Sequence, residues 1–557
     1  MRHYIKEHKL FCSIICVLHY TCLNPQAIKQ PHFYTSGSFL FLMNIPILRL
    51  SGNLALNLAL DTLKINKQAL VFAGTKPSCE KLAEDIAGKI QSELPALSEM
   101  AASAEHALSS PTKQCKRLAT CLRKGIAFHH AGLTASQREL VENNFRSGLI
   151  KIICCTPTLA MGVDIPAFRS IIKDLKRFGD DGMGFIPVLE YLQMAGRAGR
   201  PRFDKEGQAI ILALTETEKE KLTDKYINGV PEAIESKLAV EPVLRTFLLS
   251  LIASDFVSTT EEILGFFSKT FWAAQYGDMR ELRGKIENML DELVGWEFLE
   301  SSEDTFVSAS QLGSASYRAT RVGKRVAELY LDPYTARCLI LAMHKAAKSA
   351  LHDVPLLHML CCTLEMRPLL RVRAKEIDTI NGELAQYEGT LFVPEPSVYE
   401  PEYDDYLNGF KTALFMKSWI EEKDEEFLLE TFNIRPGEIR TKLDIADWLC
   451  YTAIELAKLL QFREAEKALL KLRFRLKNGV KEELLPLIRL KNIGRARARR
   501  LFRNGIKDIG DVKKADLVLL SQLLGKAVAV DVKKQVGQDY SSVVSGSPQP
   551  ILTDKIN

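Results

Sequence analysis

The sequence predicts a protein of several domains, in which a parallel α/β domain precedes mostly helical ones. The chain has 557 residues, 46% hydrophobic and 26% charged, which suits about three to five ordinary globular domains. Between about Asn53 and Ala213, short apolar runs alternate with helical periodicity, and after Ala213 such runs largely stop. Residues 461–540 hold 20 Lys and Arg against 9 Asp and Glu, so the later domains include a basic module of the kind that binds a polyanion.

The first 52 residues show neither the alternation seen between Asn53 and Ala213 nor the basic composition of residues 461–540. Leu10–Leu23 and Phe39–Leu50 are apolar, but each is shorter than a membrane span requires. A signal peptide is one interpretation and a displaced or misread start is the other. No two of the 12 cysteines have the Cys-x-x-Cys spacing of a zinc or redox site, so we predict reduced, mostly buried thiols, no metal and a cytoplasmic protein.

Five apolar runs predict the strands of the α/β domain, at residues 68–73, 125–130, 151–156, 169–174 and 208–214. The stretch 78–123 between the first two runs is predicted to be helical. Residues 230–332 read as helices followed by a hairpin over 297–320, and three helices with a β-wing would form a winged-helix domain. From Pro333 to about Asn478 the pattern predicts helix throughout.

Three short strings occur at predicted strand ends, at residues 72–83, 155–167 and 193–201, with the string 128–145 between the first two. Each alone is a weak signal. Together and in this order they resemble motifs IV, V and VI of superfamily-two helicases. The resemblance is closest to the Ski-like family and, within it, to archaeal DNA repair helicases of the Hel/Hjm type, and it covers about residues 53–535.

The resemblance divides the chain into domains. It implies an unmatched segment at 1–52, a second RecA-like helicase domain at 53–229, a winged-helix domain at 230–332, a helical ratchet domain at 333–479, a helix-hairpin-helix domain at 480–536 and a disordered tail at 537–557.

The string at 193–201 contains Gln193, Gly196, Arg197, Gly199 and Arg200. Its glycines permit a close turn, and its two guanidiniums, three residues apart, suit the γ-phosphate of a nucleotide bound across a cleft. The resemblance implies a catalytic role for Gln193, Arg197 and Arg200, with Gly196 and Gly199 beside the nucleotide. Alone, the string could equally be a surface loop that binds solvent or nucleic acid.

In the string at 155–167, Thr156 and Thr158 end a predicted strand and offer hydroxyl and backbone N–H groups to a DNA phosphate. By resemblance, Gly162 and Asp164 lie at the nucleotide cleft, although Asp164 could instead be a loop or capping carboxylate. Thr75 and the turn at His130 lie at the same predicted strand-exit edge, and Thr75 is a candidate DNA contact. His130 could equally be an ordinary loop histidine.

Residues 171–191 contain two β-favouring runs, one on each side of a Gly/Asp turn, and this pattern predicts a hairpin. In the resembling family this hairpin splits the duplex, and Phe178 and Phe185 would stack on the last base pair. The alternative is an ordinary connecting loop.

A helix is predicted from about Ile439 to Leu460, and Trp448 lies off its apolar stripe. The resembling family runs single-stranded DNA past such a ratchet helix, so Trp448 and Arg440 are candidate DNA contacts. Thr441 stands where family members tend to carry a second basic residue. Packing of Trp448 against another helix is the alternative.

The basic stretch 487–512 resembles a helix-hairpin-helix. Its turn at Asn492 and Gly494 would point backbone N–H groups at a phosphate, and Arg495, Arg497 and Arg499 would add salt-sensitive attraction. Asn492 replaces the usual first glycine, which asparagine can do because it enters left-handed conformations. A solvated arginine-rich helix is the alternative.

The sequence contains no Gly-x-x-x-x-Gly-Lys-[Ser/Thr] phosphate loop. By resemblance the chain is therefore the C-terminal part of an ATP-dependent DNA helicase of 3′-to-5′ polarity acting on forked DNA. We expect ATP and Mg²⁺ to be bound mainly by a separately encoded first RecA-like domain, without which the chain lacks ATPase activity. The alternatives are a non-catalytic DNA-binding module and an RNA helicase of the same broad family.

Overall fold

The computed structural model describes residues 15–21 (backbone only), 47, 50–91, 95–108, 110–179, 182–199, 204, 206–238, 240–277, 279–302 and 316–538. The chain divides into two compact units. The first comprises residues 1–234 and 433–439, and the second comprises residues 235–432 and 440–557.

The first unit is built on a six-stranded sheet. Its strands, in spatial order, are β1 (Ile15–Thr21), β8 (Glu206–Leu212), β5 (Arg169–Ile172), β2 (Ala69–Phe72), β4 (Ile152–Cys155) and β3 (Ile126–His129). The last five are mutually parallel, and they confirm all five predicted strands. Because every residue of β2, β3, β4 and β5 is buried, the sheet is covered on both faces, as parallel sheets are.

The edge strand β1 was not predicted. It pairs antiparallel with β8 over seven residues, from Ile15 opposite Leu212 to Thr21 opposite Glu206. Its sequence belongs to the apolar run Leu10–Leu23, which is shorter than a membrane span requires and for which no strand was predicted. Only the open edge of β8 gives this run a backbone to pair with, and no local pattern could have revealed that edge.

Helices connect the strands of the first unit. They are α1 (Leu54–Lys64), α2 (Lys76–Ala87), α3 (Ser98–Glu105), α4 (Lys113–Leu122), α5 (Ala135–Arg146), α6 (Val188–Ala195) and α7 (Glu216–Leu222), with a π-helical turn at Thr223–Ile227. Thr75, Thr112 and Thr134 accept hydrogen bonds from the first turns of α2, α4 and α5, so side-chain capping fixes where these helices begin.

The predicted hairpin between the second and third motifs is present. Strand β6 (Lys176–Gly179) pairs antiparallel with β7 (Gly182–Phe185). The turn residues Asp180 and Asp181 lie outside the described residues.

The second unit begins with α8 (Glu241–Ala253), α9 (Thr260–Phe267), α10 (Phe271–Tyr276) and α11 (Met279–Gly295). A short antiparallel pair follows, β9 (Leu299–Ser301) with β10 (Tyr317–Ala319), and then α12 (Arg321–Glu328). The strand pair lies within the predicted hairpin at 297–320, whose central residues 303–315 are outside the described part of the chain.

Seven helices occupy residues 333–478: α13 (Pro333–Ala346), α14 (Asp353–Cys361), α15 (Ile377–Ala385), α16 (Glu402–Ile420), α17 (Glu425–Phe432), α18 (Pro436–Leu459) and α19 (Arg463–Asn478). The prediction of helix throughout was wrong between α14 and α15, where residues 362–376 hold only two short 3-10 turns, and again between α15 and α16. Residues 386–401 contain no helix, because Pro394, Pro396 and Pro401 interrupt the backbone hydrogen-bond pattern.

The C-terminal helices are α20 (Leu485–Ile488), α21 (Arg495–Arg503), α22 (Ile509–Lys514), α23 (Leu517–Leu524) and α24 (Lys526–Gln535). They enclose a small core of their own. Asn492 has φ of +66°, which confirms the left-handed conformation expected of this asparagine. The predicted tail at 537–557 falls outside the described range from residue 539 onward.

The nine cysteines whose side chains the structure describes are free thiols, and seven of them are buried, as predicted. Among the helices that the structure describes, none combines the length and apolar character needed to cross a bilayer.

Candidate nucleotide and nucleic-acid interface

The carboxyl ends of the parallel strands carry the polar residues singled out in the sequence. Thr75 follows β2, is exposed, and caps α2 by accepting a hydrogen bond from Ser78 N at 3.3 Å. Thr156 follows β4, and its hydroxyl lies 2.8 Å from that of the exposed Thr158. The two hydroxyls therefore form a linked polar pair at the strand exit, with Thr158 facing solvent.

Motif VI is bonded directly to motif V. The Arg197 guanidinium donates through Nε, at 3.1 Å, and through Nη2 to the carbonyl oxygen of Ala160, in the turn that begins at Thr156. Ala167 N donates to Arg197 O at 2.9 Å, and Gly199 N donates to Ala167 O. The backbone and the side chain of Arg197 thus join the two motifs into one piece.

Gly199 shows why motif VI needs glycine. Its φ is +92°, a left-handed value that disfavours other residues. Gly207 of β8 approaches so closely that a Cβ added to Gly207 would lie 2.3 Å from Gly199 N. This tight approach holds the motif VI turn against β8.

Gln193, Gly196, Gly162 and Asp164 are all exposed. Gly162 has φ of +81° with open space where a side chain would extend. Arg146 Nε donates to the backbone oxygen of Asp164 at 3.3 Å, which leaves the Asp164 carboxylate outside that contact. Arg200 lies outside the described residues.

A buried ionic cluster lies behind the turn that follows β3. The Glu80 carboxylate, 3% exposed, contacts His130 Nε2 at 3.1 Å, Arg435 Nε at 3.0 Å and Arg117 Nη1 at 2.6 Å. Burial by itself would raise the pKa of Glu80, but the His130 hydrogen bond and the Arg435 charge outweigh it and lower the pKa to about 2. Glu80 is therefore a permanent anion at neutral pH.

His130 is fully buried and belongs to this cluster. Gly132 N donates to His130 Nδ1 at 3.1 Å, so Nδ1 is unprotonated and Nε2 carries the hydrogen that is donated to Glu80. Burial also lowers the pKa of His130. The structure thus places His130 as a neutral, fully bonded loop histidine, the second of the two interpretations of this residue.

Arg435 belongs to the segment 433–439, which contains the first turn of α18 and is part of the first unit. Gly437 N donates to Gly132 O at 3.0 Å, and Lys76 forms an ion pair with Glu438. A Cβ at Gly437 would lie 2.3 Å from the carbonyl oxygens of Ala131 and Leu133. The start of α18 is therefore fitted closely to the turn after β3.

The two aromatic residues of the hairpin differ in their surroundings. Phe178 is 68% exposed. Phe185 is 46% exposed and packs edge-to-face on Tyr226, with 6.3 Å between ring centroids. Lys176 Nζ lies 4.7 Å from the Phe185 ring centroid. Phe185 is thus held by its neighbours, whereas most of the Phe178 ring faces solvent.

Most of the apolar stripe predicted for this helix is confirmed as core on α18, while its last predicted member, Leu460, is half-buried. The buried members are Leu443, Ala446, Leu449, Cys450, Ala453 and Ala457. Trp448 is half-buried. Arg440 is exposed and forms an i,i+4 ion pair with Asp444 at 3.2 Å.

Two arginines of α21, Arg499 and Arg495, are paired with carboxylates. Arg499 binds Glu422 through two nitrogens at 2.6 and 2.7 Å, and also Glu483 at 2.8 Å. Arg495 pairs with Glu425 at 3.1 Å, and its guanidinium carbon lies 4.6 Å from the Trp419 ring centroid.

Arg497 is different, because its guanidinium donates to the Asn492 carbonyl at 2.9 Å and its side chain is exposed. Gly494 is exposed as well and caps the start of α21.

Sequence reasoning missed Glu80, Arg435 and Tyr226. Glu80 shares a helical face with the buried residues Ala83 and Ala87, and a carboxylate on such a stripe of small residues was an available signal. Arg435 lies 355 residues from Glu80, so no local pattern could have paired them.

Two family models match the chain. The helicase conserved C-terminal domain matches residues 53–202, and domain 4 of archaeal helicases matches residues 354–479. The sheet, its motif-bearing edge and these matches define the class as a helicase core domain followed by an archaeal helical domain.

Among known proteins, the chain is 37% identical over 491 residues to ATP-dependent DNA helicase Hel308 of Methanocella arvoryzae, covering 86% of this chain and 64% of that protein. It is 37% identical to the Pyrococcus horikoshii Hel308, covering 87% of this chain and 66% of that protein. It is 34% identical to the Methanococcus vannielii Hel308, covering 88% and 68%. The chain spans about two thirds of the length of these relatives, and it belongs to the Hel308 family.

Proposed function

We propose that the chain is the C-terminal part of an ATP-dependent DNA helicase that moves 3′ to 5′ on single-stranded DNA and unwinds forked or branched DNA during repair and recombination in the cytoplasm. The observation that carries the proposal is the bond from Arg197 to Ala160 O. It joins the motif that would sense the nucleotide to the turn holding Thr156 and Thr158, which would grip a DNA phosphate.

On this proposal, the nucleotide is bound with the help of a second protein domain. Gln193, Gly162 and Asp164 offer exposed polar groups and open backbone, which fit the outer side of a bound nucleotide. The phosphate loop that would cradle ATP is absent from the sequence. Mg-ATP would therefore be held by a separately supplied first RecA-like domain, and when bound it supplies the phosphoryl group whose hydrolysis drives movement.

Within this chain, Arg197 and Arg200 stabilise the charge that develops on the transferred phosphoryl group. The Ala160 carbonyl orients Arg197 through two nitrogens, so a shift of motif VI on hydrolysis is passed to the Thr156–Ala160 turn.

Nucleic acid would meet several parts of the chain. Thr75, Thr156 and Thr158 contact the backbone, and Arg440 and Trp448 on α18 contact single-stranded DNA. In the helix-hairpin-helix part, the turn at Gly494 and the neighbouring Arg497 add sequence-independent attraction.

The test mixes the chain with a separately produced first RecA-like domain and measures ATP hydrolysis and fork unwinding. We expect neither activity from the chain alone and both from the mixture. Arg200→Ala should reduce unwinding about 10³-fold with DNA binding near normal. Arg283→Ala, an exposed arginine on α11, is the matched control and should behave as wild type.

The competing function is a clamp that grips branched DNA without turnover, and the basic stretch 461–540 favours it. If the mixture binds DNA but hydrolyses no ATP, the clamp is correct and the motor is not. Competition between DNA and RNA strands at fixed salt identifies the nucleic acid.

A further inference from the structure

We infer that a cavity between α13, α15 and α16 of the second unit binds a linear organic polycation of the polyamine class, an alkyl chain that carries several ammonium groups. The rings of Tyr387, Tyr403 and Tyr406 receive an ammonium group, and the carboxylates of Glu388 and Glu395 balance its charge. The inference goes beyond the proposed function, because the residues that would meet nucleotide or nucleic acid do not line this cavity.

The cavity lies where the helical pattern of residues 333–478 is interrupted. Its volume is about 340 Å³, within the roughly 300–1,000 Å³ range of small-molecule sites. The non-helical segment 386–401 supplies one wall, α16 supplies a second and Lys345 of α13 lies at a third. Pro394, one of the prolines that exclude helix from this segment, is itself part of the lining. The break in the helical pattern therefore creates the space.

The three tyrosines are held by apolar packing. Tyr403 and Tyr406 lie three residues apart on α16 and so share a face of that helix. Tyr406 belongs to a buried apolar cluster, and Tyr387 and Tyr403 pack against the same cluster. The Tyr406 ring also meets the His358 ring edge-on, with 4.7 Å between centroids. Packing therefore fixes the rings in place before any ligand arrives.

The Tyr406 hydroxyl points to a ligand. The side chain lines the cavity and is only 5% exposed, yet its hydroxyl forms no hydrogen bond with any residue that the structure describes. A buried polar group without a protein partner is unfavourable unless a ligand or water bonds to it. An ammonium group carries three donors and needs acceptors, and a hydroxyl oxygen is one.

Charge selects a cation as the occupant. Residues 376–410 contain nine Asp and Glu and no Lys or Arg. Glu388 and Glu395 line the cavity, are exposed, and form no ion pair within the described part of the chain. Lys345 is the one cationic residue of the described lining, and its ammonium donates to Leu391 O at 2.6 Å. The lining therefore has an excess of negative charge, which would repel phosphate.

The position of Glu395 links the charge to the rings. Burial raises the pKa of Tyr403 and of Tyr406, and the negative charge of Glu395 raises both further. This carboxylate therefore lies close to two of the three tyrosines. An ammonium group between them would gain from the carboxylate and from the rings together.

The lining favours an organic cation over a metal ion. Magnesium and calcium ions take oxygen ligands, and aromatic rings offer them none, whereas an ammonium group is attracted to a ring within about 6 Å. Lys417, which does not line the cavity, shows this chemistry beside it. Its Nζ lies 5.9 Å from the Tyr387 ring centroid and donates to the Tyr387 hydroxyl at 3.2 Å. Leu384 and Leu391 of the lining would cover the methylene groups of an alkyl chain.

The test measures the binding of spermidine to the full chain without DNA, by isothermal titration calorimetry at fixed ionic strength. We expect one spermidine per chain, which magnesium chloride at the same ionic strength does not displace. Glu395→Gln should weaken binding up to about fivefold, the range for one exposed ion pair. Tyr403→Leu should weaken it about 3- to 30-fold through loss of the ring. Tyr403→Phe keeps the ring and should retain most of the affinity.

Asp404→Asn is the matched control, because it removes the same charge from an exposed residue of the same acidic stretch that does not line the cavity. It should bind spermidine as wild type does. A wild-type chain that binds no spermidine overturns the inference, and so does equal weakening by Asp404→Asn and Glu395→Gln, which would indicate diffuse attraction. Displacement by magnesium chloride, or stronger binding of a tetralysine peptide than of spermidine, also overturns it. Circular dichroism checks folding, and the exposed Glu395→Gln change decides the matter if Tyr403→Leu does not fold.

Discussion

At the scale of single residues, Glu80 is the centre of the buried ionic cluster behind the candidate site. One carboxylate binds a neutral histidine and two guanidiniums, from Arg435 and Arg117, with almost no exposure to solvent. A buried charge is tolerated only when it is paired and fully hydrogen-bonded. The main role of the cluster is therefore to hold the turn after β3 in shape, and not to take part in catalysis.

Replacing Glu80 by Gln should lower the free energy of unfolding of the first unit by about 3 to 5 kcal/mol, because it leaves the buried Arg435 guanidinium without its carboxylate partner. Since the folded pKa of Glu80 is about 2, below the ordinary 4.5, its stabilisation is complete above pH 4.5 and is lost as pH falls toward 2. In thermal unfolding, the melting temperature of the variant should therefore fall less than that of wild type as the pH drops from 4.5 toward 2.

Glu139→Gln, an exposed carboxylate on α5, is the control and should change stability by no more than about 0.5 kcal/mol. Equal acid sensitivity of wild type and Glu80→Gln would contradict the assignment of the charge to Glu80.

At the scale of elements, α21 and α18 show how a motif's residues divide between structure and binding. The basic appearance of α21 predicts that Arg495, Arg497 and Arg499 all attract phosphate. The carboxylates of Glu422, Glu425 and Glu483 engage two of them instead. The hydrogen bonds that Glu422 accepts from Arg499 and from the Lys481 backbone outweigh the effect of burial and lower the pKa of Glu422, as expected of a persistent pair.

Arg497→Ala should reduce the salt dependence of DNA binding by about one unit of slope and weaken binding uniformly across sequences. Arg499→Ala should change the slope little and lower the thermal stability, because it leaves Glu422 and Glu483 without their partner. Anisotropy titrations over a salt series and thermal unfolding measure the two effects. The reverse pattern would assign Arg499 to DNA and Arg497 to structure.

Trp448→Ala should weaken single-strand binding by about 1 to 3 kcal/mol, the range for loss of one stacked base. Trp448 is half-buried, so the accompanying loss of stability should stay below the roughly 3 to 5 kcal/mol expected of a core tryptophan. Binding titrations and urea unfolding measure the two quantities. A stability loss in the core range with unchanged binding would show that Trp448 serves packing alone.

At the scale of the whole molecule, residues distant in the chain build the first unit. Residues 433–439 follow the sheet by more than 200 positions, yet they belong to the same unit and contact the turn after β3. Gly437 makes this possible, because backbone oxygens occupy the space that any side chain would need.

Gly437→Ala should lower the melting temperature of the first unit, since a Cβ there would overlap the carbonyls of Ala131 and Leu133, and overpacking costs about 1 to 3 kcal/mol. Gly284→Ala, on α11 with no atom within 4 Å of the added Cβ, is the control and should be neutral or slightly stabilising. Differential scanning calorimetry of the two variants gives the comparison. Equal melting temperatures would contradict the close packing at Gly437.

Much of the fold was predictable from local patterns. The five parallel strands, the β6–β7 hairpin and the buried stripe of α18 follow from periodicity in continuous stretches, and the left-handed Asn492 follows from its residue type. The non-helical stretch at 386–401 was missed, although its prolines were visible, because the surrounding helical periodicity was extended across it.

By itself, the sequence determined the class of protein, since motif strings in a fixed order at strand ends depend only on chain order and residue type. It also determined which side chains are chemically suited to phosphate. Only the tertiary structure decided which of them are available, because availability depends on neighbours far apart in the chain. Arg499 with Glu422 and Phe185 with Tyr226 are such neighbours, and each places a candidate group in a structural contact.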